Sequence, residues 1–289
     1  MRIGVVFPQT EIGADPFYIK DYGQAAEELG FAHILAYDHV VGANPASRPN
    51  WRAPYSCLDM FHEPMVLFSY LAGVTKRIEF CPGVMILPQR QTVLVGKQAA
   101  ALDILSSGRL RLGVGIGWNP VEYEALGENF NNRGRRSEEQ IEVLRQLWTA
   151  PTVTFNGRWH KITDAGINPL PVQRPIPIWF GGSDERVLAR LARLGDGWFP
   201  LVGPDDKCRA MIDTIRNYAK QAGREPQAIG IEGRIAYGQG APDAWHKDLV
   251  AWQNLGATHV SFNAMKSGLT SPSAHIEALR HFSTVANQR

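Results

Sequence analysis

A neighbouring acid and base, Asp38 and His39, stand near the end of the apolar run AHILAYDHV at positions 32–40. Histidine titrates near neutral pH, so a histidine beside a carboxylate can serve in acid–base catalysis. Two other interpretations remain open: Asp38 orients the following loop, or the histidine binds a metal. No metal site is predicted, because no His-x-His spacing or regular set of carboxylates accompanies the pair.

The glycine-rich stretch RLRLGVGIGWN at 109–119 raises the question of a nucleotide-binding loop. A dinucleotide fingerprint requires G-x-G-x-x-G before a helix, but Trp118 occupies the place of the third glycine. No helix start is predicted there, because Asn119 and Pro120 intervene. The glycines keep the period of a strand and share one face: Gly113, Gly115 and Gly117. If these glycines face the interior of a barrel, two interpretations are open. They leave space for a flat ligand, or they fit a barrel core that becomes narrower.

A second glycine run, Gly181-Gly182-Ser183, follows the apolar strand IPIWF and precedes a predicted helix that begins at 184. Unpaired N–H groups and the positive end of a helix favour an anion, and glycines allow its close approach. We therefore predict a phosphate site here, to which Ser183 adds its hydroxyl group. The alternative is that Ser183 is an ordinary N-cap.

Strand-like apolar runs alternate with helix-length segments along the whole chain. We predict eight strands, at 3–7, 32–40, 77–87, 109–119, 176–180, 196–200, 228–238 and 258–264. The clearest helices are at 63–75, 92–108, 137–148, 184–195, 205–222, 243–255 and 273–286. This alternation predicts an α/β (β/α)8 TIM barrel, with an open doubly wound sheet as the structural rival. Asn156-Gly157 predicts a short hairpin insertion near 150–175, and nothing marks a second domain within 1–289.

The composition excludes several classes of protein. Of the 289 residues, 44% are hydrophobic and 20% are charged, which is ordinary for a globular domain. The net charge of +2 is too small and too scattered to indicate a nucleic-acid partner. The three cysteines are far apart, so neither a disulfide framework nor a zinc site is expected. No apolar run is long enough for a membrane span or a signal peptide, and a cytoplasmic location is expected.

The run GVMILPQRQTVLVGKQAAALDILSSGRLRLGVGIGWNPVEYEALG, at 83–127, resembles the central block of the luciferase-like monooxygenase superfamily. It is most similar to the branch of coenzyme F-420-dependent oxidoreductases. The similarity continues in RRSEEQIEVLRQLWT, PLPVQRPIPIWFGGSDE and ARLGDGWFP, while YDHV and HEP near the start also fit. The resemblance implies one barrel domain over 1–289 that binds F-420 or FMN at its C-terminal face.

The resemblance also implies roles for individual residues. Asp38 and His39 would touch the deazaflavin ring and serve in proton transfer. Gly83-Val84 is where the deazaflavin enzymes of the family carry a non-proline cis peptide, which would form a bulge behind the ring. The remaining predicted cofactor contacts are small residues at the ring or the phosphate: Gly115, Gly117, Gly181, Gly182 and Ser183.

A substrate pocket is predicted above the ring. Its candidates are Trp51, Tyr55 and His62, from the loop after the second strand, together with Trp118. The alternative is a packed lid that makes no substrate contact. In the sugar-phosphate dehydrogenases of the family, an acidic residue occupies the place of Trp118. This difference favours a small apolar substrate. His160, in the hairpin insertion, is expected at the surface.

Three functions remain under this resemblance. The first is hydride transfer between F-420 and a small apolar organic substrate, with His39 as the proton partner. The second is an FMN-dependent monooxygenase that uses dioxygen and a separate reductase. The third is a flavin-binding barrel without catalysis. Outside the resemblance, a metal-dependent barrel hydrolase is a further alternative. A homodimer is a possible assembly.

Overall fold

A parallel barrel forms the centre of the protein, in a computed structural model that describes residues 1–238 and 241–286. The strands are β1 (Arg2–Val6), β2 (His33–Ala36), β3 (Glu79–Pro82), β4 (Met85–Ile86), β5 (Leu112–Gly115), β6 (Val153–Asn156), β7 (Lys161–Ala165), β8 (Ile178–Gly181), β9 (Gly197–Phe199), β10 (Gly230–Ala236) and β11 (His259–Asn263). The nine-stranded sheet has the order β3-β2-β1-β11-β10-β9-β8-β5-β4, and β6 and β7 pair separately.

Helices alternate with the barrel strands and cover their outer face. They are α1 (Pro16–Glu28), α2 (Pro64–Val74), α3 (Thr92–Leu105), α4 (Pro120–Ala125), α5 (Arg133–Thr149), α6 (Glu185–Leu194), α7 (Asp206–Gln221), α8 (Pro242–Asn254) and α9 (Pro272–Ala286). Within the two described ranges, no helix combines the length and the apolar character needed to cross a membrane. The predicted βα alternation and the α/β barrel class are confirmed.

One barrel strand is interrupted, which explains why nine strands form an eight-position barrel. β3 pairs with β2, and β4 pairs with β5, so the two segments continue one another across Gly83-Val84. The backbone of Phe80 meets the residues that lead into β5, the fourth barrel strand: its N–H donates to Arg109 O at 2.8 Å, and its carbonyl accepts from Arg111 N at 3.0 Å. The predicted strand at 77–87 is therefore two short strands with a break between them.

The predicted hairpin insertion is confirmed, because β6 and β7 pair antiparallel around Asn156-Gly157. The expected surface position of His160 is wrong. Its Nδ1 lies 2.7 Å from Glu139 Oε1 and its Nε2 lies 2.6 Å from Thr92 Oγ1, and only 11% of the side chain is exposed. His160 therefore connects the hairpin to α3 and α5 by hydrogen bonds.

A buried ionic cluster lies inside the barrel, on its N-terminal side. Glu232 accepts from Arg111 Nη1 at 2.6 Å and lies 2.9 Å from His33 Nε2, and Ser261 Oγ also donates to this carboxylate. Burial acts to raise the pKa of Glu232, but Arg111 and His33 hold that pKa well below its ordinary value. Glu232 is therefore an ionised, fully paired carboxylate in the core.

Breaking this cluster is expected to destabilise the fold. Glu232→Gln leaves Arg111 as an uncompensated buried charge, which should lower the free energy of unfolding at pH 7 by roughly 3–5 kcal/mol. Urea denaturation measures the loss. The matched control is Glu28→Gln, at an exposed position of α1, which should change little. A Glu232→Gln variant as stable as the wild type would contradict this account.

The same cluster predicts acid sensitivity. The pKa of Glu232 is lowered in the folded state, so its stabilisation is present above the unfolded-state pKa of about 4.3 and is lost as pH falls below it. Burial, with Arg111 nearby, also lowers the pKa of His259 to about 3. The unfolded chain therefore binds a proton at His259 first, which weakens the fold between about pH 6.5 and pH 3. Both groups act in the same direction.

Candidate active site at the barrel mouth

The predicted site residues follow the C-terminal ends of neighbouring barrel strands, where such barrels carry their active sites. An apolar layer inside the barrel forms the floor of this mouth: Val6, Leu35, Cys81, Trp179, Phe199 and Met265. Tyr37 and Val84 are only partly buried and pack on this layer. The floor thus separates the mouth from the ionic cluster, which lies nearer the N-terminal ends of the strands.

His39 is paired with a buried carboxylate that was not predicted. Its Nδ1 lies 3.1 Å from Glu122 Oε1, and 12% of the histidine side chain and 1% of the glutamate side chain are exposed. Glu122 also accepts from Val40 N at 3.0 Å and from Gln89 Nε2 at 3.3 Å. A carboxylate at Nδ1 orients the ring and leaves Nε2 free to exchange a proton.

The helix that carries Glu122 corrects the prediction that no helix starts after the glycine stretch. α4 begins at Pro120, and Asn119 Oδ1 accepts from Val121 N at 3.0 Å as its N-cap. An asparagine followed by a proline is a signal for a helix start, and it was available in the sequence. The sequence does not indicate where the Glu122 side chain points, because that depends on how α4 packs.

Asp38 does not pair with His39. Its carboxylate accepts from Arg90 Nη2 at 2.6 Å and from Ile86 N at 2.9 Å, and Asp38 is 3% exposed. Arg90 also binds Glu63 at 2.8 Å, at the start of α2. All of these contacts hold β4 and the neighbouring loop in place. The geometry favours the interpretation of Asp38 as an orienting residue.

Val84 occupies the room that the glycines provide. The peptide bond between Gly83 and Val84 is cis, at the predicted position. A side chain on Gly115 would collide with Val84 Cγ2, and a Cβ on Gly181 would lie 2.8 Å from Val84 Cγ1. A Cβ on Gly117 would likewise lie 2.7 Å from Ile86 Cγ2. The glycines therefore let Val84 form a partly exposed apolar ledge in the mouth.

The predicted phosphate segment stands at the end of β8 and before α6. Gly182 has a φ of 126°, and its carbonyl accepts from Trp198 Nε1 at 2.7 Å. The N-cap of α6 is Asp184, so the alternative assignment of Ser183 as the N-cap is wrong. Within the described part of the chain, the buried Ser183 Oγ has no hydrogen-bond partner. A hydroxyl without a partner at the start of a helix fits a bound anion.

A cavity of about 790 Å³ opens beside this segment. The first turns of two helices line it, α5 with Arg133 and Arg135 and α6 with Glu185 and Arg186. Helix N-termini carry partial positive charge, and the four arginines of the lining, which include Arg190, outnumber the acidic side chains Asp184 and Glu185. This end of the mouth therefore favours an anionic group.

An aromatic wall surrounds His39 on the other side. Its ring centroid lies 5.1 Å from that of Tyr55, 4.7 Å from Phe61 and 5.7 Å from Trp118. Trp51 packs on Trp118 at 6.0 Å. The structure thus brings together three predicted substrate residues and adds Phe61. Behind this wall is a cavity of about 300 Å³, which His39, Tyr55 and Phe61 line.

His62 differs from the other predicted substrate residues. Its ring packs edge-on against Phe7, with a centroid distance of 6.4 Å, and its carbonyl accepts from the buried Gln9 at 3.0 Å. His62 therefore contacts the loop after β1 and does not line the cavity behind the aromatic wall.

Comparison with known proteins identifies the family. The sequence model of the luciferase-like monooxygenase family matches residues 1–286. The chain belongs to this family. An uncharacterised protein from Mycobacterium tuberculosis is 34% identical over 226 residues, which are 75% of this chain and 77% of the relative. The FMNH2-dependent dimethylsulfone monooxygenase of Pseudomonas putida is 30% identical over 222 residues, which are 75% of this chain and 57% of that enzyme.

Solved structures share the fold. An F420-dependent secondary alcohol dehydrogenase, determined with an F420–acetone adduct, superimposes with a TM-score of 0.80 at 17% identity. The match covers 98% of this chain and 97% of that enzyme. The F-420 and FMN alternatives thus both have counterparts among the similar proteins. The family match supports a luciferase-like oxidoreductase, and the structural likeness shows a shared fold.

Proposed function

We propose that this protein transfers a hydride between F-420 and a small, mainly apolar organic substrate at the barrel mouth. The observation that carries the proposal is the His39–Glu122 pair just after β2, where the His39 ring packs among the rings of the aromatic wall. The resemblance of the sequence to the F-420-dependent branch favours this cofactor over FMN.

The mouth has the features that a flat cofactor with a phosphate requires. Val84 offers an apolar ledge for the ring, and Gly181 and Gly182 lie between the end of β8 and the start of α6, where a phosphate would meet the positive end of the helix. Ser183 Oγ supplies a donor that has no partner among the described residues. When bound, F-420 would supply two-electron hydride chemistry. We assign the ring to the Val84 side of the mouth and the phosphate to the start of α6.

The residues at the mouth would then have different roles. His39 would donate or accept the proton at Nε2, and Glu122 would hold the ring through Nδ1. Tyr55, Phe61 and Trp118 would exclude water from the reacting atoms. Asp38, through Arg90, would fix the strand segment that carries the ledge. We expect Asp38 to act as a positioning residue.

A second candidate is an FMN-dependent monooxygenase that receives reduced flavin from a separate reductase. The similarity to the FMNH2-dependent dimethylsulfone monooxygenase of Pseudomonas putida favours it. The same ledge and phosphate segment would serve FMN. A barrel that binds a flavin without catalysis is less well supported, because the His39–Glu122 pair is arranged for proton transfer.

Titration of the purified protein with F-420 and with FMN, followed by the absorbance of each, tests these candidates. We expect F-420 to bind and FMN to bind more weakly. Tight FMN binding without F-420 binding would overturn the first choice in favour of the monooxygenase. Failure of both cofactors to bind would refute the whole proposal.

A homodimer stays a prediction, which the sedimentation of the purified protein would test. Exposed apolar side chains on two packed helices support it: Val66 and Tyr70 of α2, and Val93, Leu94 and Leu105 of α3. The cytoplasmic location is likewise an expectation.

A further inference from the structure

Arg234 brings a positive charge into the barrel mouth. It lies on β10 and is partly buried, and its Nη1 donates to the hydroxyl group of Tyr37. The guanidinium carbon stands 5.2 Å from the centroid of the Tyr37 ring. Among residues 1–238 and 241–286, no carboxylate lies within ion-pair distance of Arg234. Its buried Nε also has no hydrogen-bond partner in these ranges.

Two other arginines near the barrel interior are neutralised by carboxylates. Arg90 binds Asp38 and Glu63, and Arg111 binds Glu232. A partly buried cation without such a partner is costly unless a ligand completes its hydrogen bonds. The hydrogen bond from Nη1 to Tyr37 leaves the Nε–Nη2 edge of Arg234 without a partner among the described residues. This edge is one of the two edges of a guanidinium that bind both oxygens of a carboxylate in a paired geometry.

Arg234 also stands near the predicted substrate. Tyr37, which holds the guanidinium, packs on the same apolar floor as Val84. Burial raises the pKa of Tyr55 to about 12, and the charge of Arg234 opposes this rise, as expected for a cation near the Tyr55 ring. A second cation is close, because Lys266 Nζ lies 4.4 Å from the centroid of that ring. This side of the mouth therefore combines aromatic rings with two cations, Arg234 and Lys266, while the carboxylates of Asp59 and Glu11 also lie near the Tyr55 ring.

We propose that Arg234 binds a carboxylate group of the substrate, whose apolar part lies against Tyr55 and Trp118. The proposal rests on the proposed function and changes its substrate class from a purely apolar molecule to an organic acid with an apolar body. Arg234 would be a specificity-determining residue, because a neutral analogue of the same shape leaves its Nε–Nη2 edge unpaired.

The test uses two probes of equal shape and different charge, benzoate and benzamide. Isothermal titration calorimetry on the full chain should show the wild-type protein binding benzoate about 10-fold or more tightly than benzamide. Arg234→Gln should remove this preference and leave the affinity for benzamide unchanged. Arg2→Gln is the matched control, because Arg2 is exposed at the opposite end of the barrel. This control should keep the full preference.

Each other outcome contradicts the proposal. Equal affinity of the wild-type protein for the two probes, or binding of neither, would overturn it without any substitution. A preference for benzoate that persists in Arg234→Gln would place the anion elsewhere. Loss of F-420 and FMN binding in Arg234→Gln, with benzoate binding unchanged, would assign Arg234 to the cofactor. The cofactor titrations of the wild-type protein remain separate, so failure of the proposed function is distinguishable from failure of this inference.

Discussion

Replacing His39 with alanine is expected to slow turnover by roughly 10²–10⁴-fold, the range that a positioned general acid or base contributes. The affinity for the cofactor should change little, because the ledge at Val84 and the phosphate segment stay intact. Steady-state kinetics with F-420, together with absorbance titration of the variant, measures both quantities. A fully active His39→Ala variant would remove this residue from the mechanism.

Glu122 should act through His39. In Glu122→Gln the amide still reaches Nδ1, but it no longer stabilises the protonated ring. The maximum value of kcat should therefore change, and its pH profile should shift. The matched control is Glu124→Gln, on the exposed face of the same short helix. The control should leave both the rate and the profile unchanged. A lower rate with an unshifted profile in Glu122→Gln would indicate a merely structural contribution.

Replacing Gly182 with aspartate is expected to weaken cofactor binding by about 100-fold or more. The φ of 126° is unfavourable for a side chain, and the new Cβ would lie 3.0 Å from Val187 Cγ1. The added carboxylate would stand where the phosphate is proposed to bind and would repel it. Absorbance titration with F-420 and with FMN measures the loss.

Two controls separate charge from backbone effects. Gly182→Ala introduces the same Cβ without the carboxylate, so it should reduce the affinity less than aspartate does. Gly223→Asp places aspartate at another glycine with positive φ, at 70°, after α7 and with open space around it. This second control should bind the cofactor normally. Unchanged affinity in a folded Gly182→Asp protein would refute the phosphate site.

Much of the fold can be predicted because its patterns are local. Apolar runs with the period of a strand, separated by helix-length amphipathic segments, leave few topologies other than a parallel barrel. The hairpin at Asn156-Gly157 is equally local, because its two turn residues define it. The break at Gly83-Val84 lies at the place that the family resemblance implied. The short helix α4 was missed although Asn119 and Pro120 indicated its start.

The pairing of the site residues cannot be predicted from local patterns, because it depends on contacts between segments that are distant in the chain. Asp38 and His39 are adjacent in the chain, but Asp38 binds Arg90, 52 positions away, and His39 binds Glu122, 83 positions away. Neighbouring side chains on an extended backbone point in different directions, so adjacency does not make them partners. Which carboxylate meets the imidazole is decided by how α4 packs against the loop after β2.

The sequence by itself determined the barrel class and the family, and it predicted the barrel mouth as the place of the candidate site. Its residue types also indicated that His39, the glycines and the aromatic loop belong there. Only the tertiary structure decided what fills the space beside Gly115 and Gly181, and that Arg234 meets Tyr37 across the mouth. The physical reason is that local periodicity sets the elements and their faces. Side-chain contacts between strands far apart in sequence exist only once the barrel has closed.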